Sequence, residues 1–134
     1  MKAEIIAVGS ELLTPDRIDT NSLFLTEELN KLGIEIVRKT VVGDDRALLL
    51  EAFRDAVNRV PLTIASGGLG PTEDDLTRET VAELLGRKLA RNDAIVRAIV
   101  SGPTSRTSAA CSAVGVTPVA VSAGRSPIGN LFVM

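Results

Sequence analysis

The strongest indication of the fold comes from the stretch Leu62-Thr63-Ile64-Ala65-Ser66-Gly67-Gly68-Leu69-Gly70-Pro71-Thr72-Glu73-Asp74-Asp75-Leu76-Thr77. Its first four residues predict a short buried strand, and a helical pattern follows over residues 76–85. A glycine-rich turn that leads from a strand into a helix is a place where backbone N–H groups can converge on a phosphate. We therefore predict that Gly67 to Gly70 form a phosphate-binding turn.

Acidic and hydroxyl side chains follow these glycines directly. Glu73, Asp74 and Asp75 stand near the predicted helix start, where one or two of them can cap the helix. Three adjacent carboxylates repel one another and would also repel a phosphate, and a Mg²⁺-type cation relieves both effects. Asp75 is the best single metal candidate, and Thr72 or Thr77 can offer a hydroxyl to a phosphate oxygen.

The same alternation of strand and helix extends outward toward the N-terminus. The sequence predicts strands at 4–8, at 34–37 with 40–42, and at 62–65, with helices between and after them. Such alternation favours a mostly parallel sheet with helices on both faces. The predicted core residues on the first two helices are Leu23, Leu25, Leu29, Leu48, Leu49 and Phe53.

In a parallel sheet the turns after successive strands share one rim, and ligands bind there. Gly9-Ser10-Glu11, Gly43-Asp44-Asp45 and the turn beginning at Gly67 would therefore meet. Asp44 and Asp75 are then a carboxylate pair that can hold a metal or activate a water. Asp44 or Asp45 can instead cap the helix that follows them. The segment Asp19 to Ser22 offers several cap candidates for the first helix, and the local sequence favours capping over ligand contact for Asn21 or Ser22.

Composition narrows the chemistry. The 134 residues contain no His, Trp or Tyr, and only one Cys, Cys111. Imidazole catalysis and an intrachain disulfide are thereby excluded, and the net charge of −2 does not support nonspecific nucleic-acid binding. The sequence has neither a signal peptide nor an apolar run long enough for a membrane span, so we expect a cytoplasmic protein that contacts no membrane.

Four motifs resemble the N-terminal domain of CinA (competence/damage-inducible) proteins. They are Ala7 to Leu13, Asp19 to Ser22, Val41 to Asp45, and Gly67 to Arg78, in that order. That domain is similar to the molybdopterin-binding MoaB/MogA/MoeA fold. The resemblance covers residues 1–99, whereas residues 100–134 depart from the family pattern, with a loop expected at 101–112 and strands at 114–121 and 131–134. We treat residues 1–134 as one domain.

The resemblance implies a three-layer α/β/α fold with a mostly parallel sheet, and assembly as a dimer or trimer. It also implies an ADP-ribose pyrophosphatase activity that depends on Mg²⁺, Mn²⁺ or Co²⁺. Asp44 and Asp75 match the two aspartates that matter in the related MogA-type enzymes, which adenylylate molybdopterin. The amidase activity of the C-terminal domain found in many CinA proteins is not carried over to these residues.

The residues and the resemblance together define the candidate site. The catalytic candidates are Asp44 and Asp75, and Asp74 joins them as a metal candidate. The candidate contacts to a nucleotide or pterin phosphate are Gly9, Ser10, Glu11, Asn21, Gly67, Gly68, Leu69, Gly70, Thr72 and Thr77. Three functions remain open: pyrophosphate hydrolysis, a molybdopterin-binding or adenylyl-transferring domain, and a non-catalytic nucleotide-binding or oligomerisation module.

Overall fold

The computed structural model describes residues 1–70, 72–89 and 130–133. In this part of the chain strands and helices alternate: β1 (Lys2–Val8), α1 (Thr20–Lys31), β2 (Glu35–Val42), α2 (Arg46–Arg59), β3 (Leu62–Ser66), α3 (Thr77–Leu84) and β4 (Asn130–Val133). A short 3-10 helix, Ser10–Leu13, follows β1. The short strand expected near the end of the chain is confirmed as β4. Cys111, the loop expected at 101–112 and the strand expected at 114–121 lie outside the described residues.

The strands form one parallel sheet in the order β2-β1-β3-β4. The central strands β1 and β3 are covered on both faces, which is why their sequences are apolar runs rather than alternating patterns. Val8 lies opposite Val42, and Ala7 lies opposite Ser66. The carboxyl ends of β1, β2 and β3 therefore share one edge of the sheet, as predicted.

Helices cover both faces of the sheet and make a three-layer fold. On one face Leu25 of α1 packs with Ile5 of β1. On the other face Phe53 of α2 and Val81 of α3 pack with Ile6 of the same strand. No helix in the described part of the chain is long and apolar enough to cross a membrane.

Two leucines predicted to be in the core are exposed, so that prediction was wrong for them. Leu23 in α1 is 58% exposed and Leu48 in α2 is 57% exposed, whereas Leu25 and Leu49 are buried. Successive residues of an α-helix are rotated by about 100°, so a residue one or two positions from a buried leucine can point away from the sheet. The spacing of apolar residues predicted the positions of the helices correctly. It assigned too many leucines to the faces that pack on the sheet.

The helix caps settle two ambiguities of the sequence. Asp19, rather than Asn21 or Ser22, caps α1 by accepting a hydrogen bond from the Ser22 N–H at 2.9 Å. Asp45 caps α2 by accepting from the Leu48 N–H at 2.9 Å. Asp44 is thereby left for another role.

Candidate functional site

The glycine turn after β3 lies directly against the end of β1. Gly67 and Gly68 adopt left-handed conformations, with φ of 98° and 62°. A Cβ on Gly67 would overlap the carbonyl oxygen of Val8, and one on Gly68 would overlap the hydroxyl of Thr77. Only glycine fits this close approach, so the backbone itself forms the surface of the turn.

Thr77 holds the turn in place. Its side chain is buried, its hydroxyl donates to the Gly67 carbonyl at 2.8 Å, and its N–H donates to the Gly68 carbonyl at 3.2 Å. The hydroxyl proton is therefore committed to the protein, which favours a bracing role over the direct ligand contact predicted for Thr77. Leu69 anchors the turn by packing its side chain against the core.

Two backbone donors of the turn are available to a ligand. Within residues 1–70, 72–89 and 130–133, the N–H groups of Gly68 and Leu69 donate to no acceptor. Both residues are half-buried at the carboxyl edge of the sheet. Adjacent backbone N–H groups at such a turn are suited to bind a phosphate.

Asp75 folds back over the end of the same turn. Its carboxylate accepts hydrogen bonds from the hydroxyl and the N–H of Thr72, and a side chain on Gly70 would overlap it. The Thr72 hydroxyl, followed by the backbone N–H groups of Gly70 and Thr72, lowers the pKa of Asp75 below its usual 3.8. Arg78 lowers this pKa slightly further, and it donates to the Gly70 carbonyl at 2.8 Å.

Asp44 joins the turn after β2 to the turn after β1. Its carboxylate accepts from the Ser10 N–H at 2.9 Å, and its own N–H donates to the Ser10 hydroxyl at 2.9 Å. This reciprocal pair fixes both turns at the edge where Gly67 to Gly70 lie. Asp44 is half-buried, and Ser10 is exposed.

The carboxylates do not form a ready-made metal cage. Across the described residues, no three His, Cys, Asp or Glu side chains lie close enough together to hold a metal ion. Asp74 is exposed and does not complete the predicted set with Asp44 and Asp75. The donors present are hard oxygens, which fit a cation such as Mg²⁺ that binds through one or two carboxylates together with substrate phosphates.

A cavity opens between the ends of β1 and β3 and the start of α1. Its volume is about 190 Å³, and its lining includes Glu11, Arg17, Asp19, Asn21, Ser66 and Gly67. The chain leaves β1 toward β2 on one side and returns to β3 on the other, so this is the switch point of the sheet, where ligands of such folds bind. Glu11, Asn21 and Gly67 of the predicted contacts are thus brought together.

Among the residues of this cavity that sequence reasoning did not predict as contacts are the polar residues Arg17 and Ser66. Arg17 is a cation in the segment between β1 and α1. Its positive charge near a predicted phosphate-binding turn is the sequence feature that could have identified it. Ser66 ends β3 and directly precedes the glycines, which places it on the rim.

The sequence matches a known protein family over almost its whole length. A family model described as "Probable molybdopterin binding domain" matches residues 4–133. The chain belongs to this MoCF biosynthesis family. The match includes most of β1, the other three strands described in the structure and every predicted site residue.

Known proteins similar to this MoCF domain include CinA-like relatives. A CinA-like protein from Solibacter usitatus is 60% identical over 96 residues, which are 72% of this chain and 23% of that protein. The chain thus spans about a quarter of the length of the curated relatives it matches.

Two solved structures share the fold of this domain. The protein CinA of unknown function from Thermoplasma acidophilum superposes with a TM-score of 0.73 at 25% identity, covering 99% of this chain and 86% of that one. The molybdopterin biosynthesis enzyme MoaB from Thermus thermophilus superposes with a TM-score of 0.69 at 23% identity, covering 99% and 79%. The second likeness concerns the fold alone.

Proposed function

We propose that this domain binds a phosphorylated nucleotide and hydrolyses the pyrophosphate bond of ADP-ribose or a similar compound, with the help of a divalent metal. The observation that carries the proposal is the braced glycine turn at the switch point of the sheet. Its two available N–H groups lie on a backbone whose conformation is fixed by Thr77 and Val8. Asp75 folds over the end of the turn, and Gly67 of the turn lines the cavity that also contains Arg17.

The turn would bind one phosphate of the ligand. Gly68 and Leu69 would donate their N–H groups to phosphate oxygens, and the guanidinium of Arg17 would neutralise part of the charge. Because Thr77 already holds the turn in shape, little order has to be gained when the ligand binds. Such preorganised donors also stabilise the charge that develops on phosphate oxygens during hydrolysis.

The two aspartates have different hydrogen-bond partners, Thr72 for Asp75 and Ser10 for Asp44. The hydrogen bonds that lower the pKa of Asp75 keep it ionised, so it suits metal binding or orientation of a water and not proton donation. Asp44 is held by Ser10 and would be the second carboxylate. A bound divalent metal would supply Lewis acidity and lower the pKa of the attacking water.

The test incubates the purified protein with ADP-ribose and Mg²⁺, Mn²⁺ or Co²⁺. The release of AMP measures hydrolysis. Wild type should turn over, and Asp75→Ala should lose turnover. Asp45→Ala removes a neighbouring carboxylate that only caps α2, and it should keep turnover. Absence of AMP release by wild type with all three metals would overturn the proposed hydrolysis.

A second function is favoured by the family match, whose description names molybdopterin. A molybdopterin-binding or adenylyl-transferring domain would use the same glycine turn for the pterin phosphate. Competition between a phosphorylated pterin and ADP-ribose for the site distinguishes the two, since the tighter ligand identifies the substrate class. Binding of either ligand without turnover would instead indicate a non-catalytic module.

We also propose that the domain assembles as a homo-oligomer, a dimer or trimer, in the cytoplasm. Light scattering of the purified protein measures the assembly directly, and a monomer at micromolar concentration would contradict it.

A further inference from the structure

A second cavity adjoins the one at the switch point. Its volume is about 210 Å³, and Asn21, Phe24, Leu25 and Ser66 line it. Asn21 and Ser66 also line the first cavity, so the two share a boundary. We call the two neighbouring cavities together the groove, with the glycine turn at one end and Phe24 at the other.

The two ends of this groove differ in chemistry. The first end carries the charged side chains Glu11, Arg17 and Asp19 next to the glycine turn. The second end carries the apolar side chains of Phe24 and Leu25. A ligand that fits both ends has a charged part and a flat or apolar part.

The size of the groove points the same way. Ligand sites for drug-sized molecules are commonly about 300–1,000 Å³. The first cavity alone is smaller than this range, and it reaches the range only together with the second. A phosphate with a short linker would fill the first cavity, which leaves the second for the remainder of the ligand.

Phe24 is an unusual residue to leave at the surface of this chain. It is 61% exposed, although the chain has only three Phe and neither Trp nor Tyr. By contrast, Phe53 is completely buried in the core. A rigid aromatic side chain at the mouth of a ligand groove is suited to stack on a planar ring.

We propose that Phe24 is the stacking platform for the planar heteroaromatic ring of the ligand whose phosphate binds at Gly68 and Leu69. The ligand class is a phosphorylated compound that carries an adenine-like or pterin-like ring. Asn21, at the boundary of the two cavities, can donate and accept hydrogen bonds to the linker between ring and phosphate. This inference rests on the proposed phosphate site and assigns the other half of its ligand.

The experiment measures binding of etheno-AMP, a fluorescent nucleotide, to the wild-type protein. Because the chain has no Trp or Tyr, protein fluorescence does not obscure the probe. The test variant is Phe24→Leu, which keeps an apolar side chain but removes the flat ring. The matched control is Leu23→Ala, which alters an adjacent exposed side chain that does not line the groove.

We expect Phe24→Leu to weaken binding of etheno-AMP by about 5- to 100-fold, the range for loss of one base–aromatic stack. Its affinity for ribose 5-phosphate, which has no ring, should not change, and Leu23→Ala should bind both ligands as wild type does. Displacement of the probe by AMP and by a phosphorylated pterin then shows which ring the groove prefers.

Two failures are distinguishable. If Phe24→Leu binds etheno-AMP as tightly as wild type does, the stacking platform is refuted while the phosphate site stands. If wild type binds neither etheno-AMP, nor ribose 5-phosphate, nor the phosphorylated pterin, the phosphate site fails and the ring platform fails with it.

Discussion

At the residue scale, the glycine turn depends on the contact between Gly67 and the carbonyl oxygen of Val8. Gly67→Ala should destabilise the fold by about 2 kcal/mol or more, because the new Cβ meets backbone and the φ of 98° disfavours a side chain. Urea denaturation measures this loss. Phosphate-ligand binding should fall as well, since the turn has to shift.

Gly33→Ala is the matched control for this substitution. Gly33 also has a positive φ, 72°, but a Cβ there would meet nothing within 4 Å. Its cost should therefore be about 1 kcal/mol, the conformational part alone, and ligand binding should be unchanged. Equal losses for the two variants would show that the approach to Val8 does not matter.

The carboxylate of Asp75 gives the protein a predictable response to acid. Since its pKa is lower in the folded protein than its usual 3.8, it contributes stability that is fully present above that value. The contribution is lost as the pH falls below 3.8 through the folded pKa. Asp75→Asn, which keeps an oxygen acceptor, should remove this part of the pH dependence.

Thermal unfolding between neutral pH and strongly acidic pH checks this expectation. The difference in Tm between wild type and Asp75→Asn should shrink as the pH falls below 3.8. A constant difference across the whole range would contradict the assignment of the shift to Asp75.

At the scale of single elements, the adjacent residues Asp44 and Asp45 before α2 have different hydrogen-bonding roles. Asp45→Ala should cost about 1 kcal/mol, because it removes the cap that accepts from the Leu48 N–H. It should leave ligand binding intact. Asp44→Ala should reduce ligand binding and turnover, since it releases the Ser10 N–H that ties two rim turns together.

Denaturant unfolding and ligand titration of both variants separate these roles. The expected pattern is a pure stability loss for Asp45→Ala and a functional loss for Asp44→Ala. If the two variants behaved alike in both measurements, the division between cap and site would be wrong.

At the scale of the whole molecule, an ion pair joins the helix layer to the centre of the sheet. Glu4 of β1 is 1% exposed, and its carboxylate accepts from Arg59 at the end of α2 at 3.0 Å and from the Thr40 hydroxyl at 3.3 Å. Arg59→Ala would leave this carboxylate buried without its charge partner. We expect a loss of about 3 kcal/mol in the free energy of unfolding.

Asp55→Ala is the control for the Arg59 substitution. Asp55 pairs with the same guanidinium at 3.3 Å but is exposed, so its loss should cost no more than about 0.5 kcal/mol. Urea denaturation at neutral pH compares the two variants. A small effect of Arg59→Ala would contradict the stabilising role of this ion pair.

Local sequence patterns predicted the order of strands and helices and the edge of the sheet at which the candidate site lies. The strand–glycine–helix pattern around Gly67 and the apolar periodicity of α1 and α2 are local signals, so they can be read from neighbouring residues. The parallel topology follows from the alternation of strands and helices, which is why the sequence predicts Asp44 and Asp75 at the same edge of the sheet.

Tertiary structure alone decided which side chains face inward and which share a cavity. Leu23 and Leu25 are both leucines of the same helix, and the sequence predicts both in the core. The packing of α1 on the sheet buries Leu25 and leaves Leu23 exposed. The groove is lined by Arg17, Phe24 and Ser66, and no local sequence motif marks these residues as ligand contacts. They line it because β1, β3 and α1 converge there. The physical reason is that periodicity fixes local conformation, whereas a binding surface arises from packing between elements that the chain brings together only on folding.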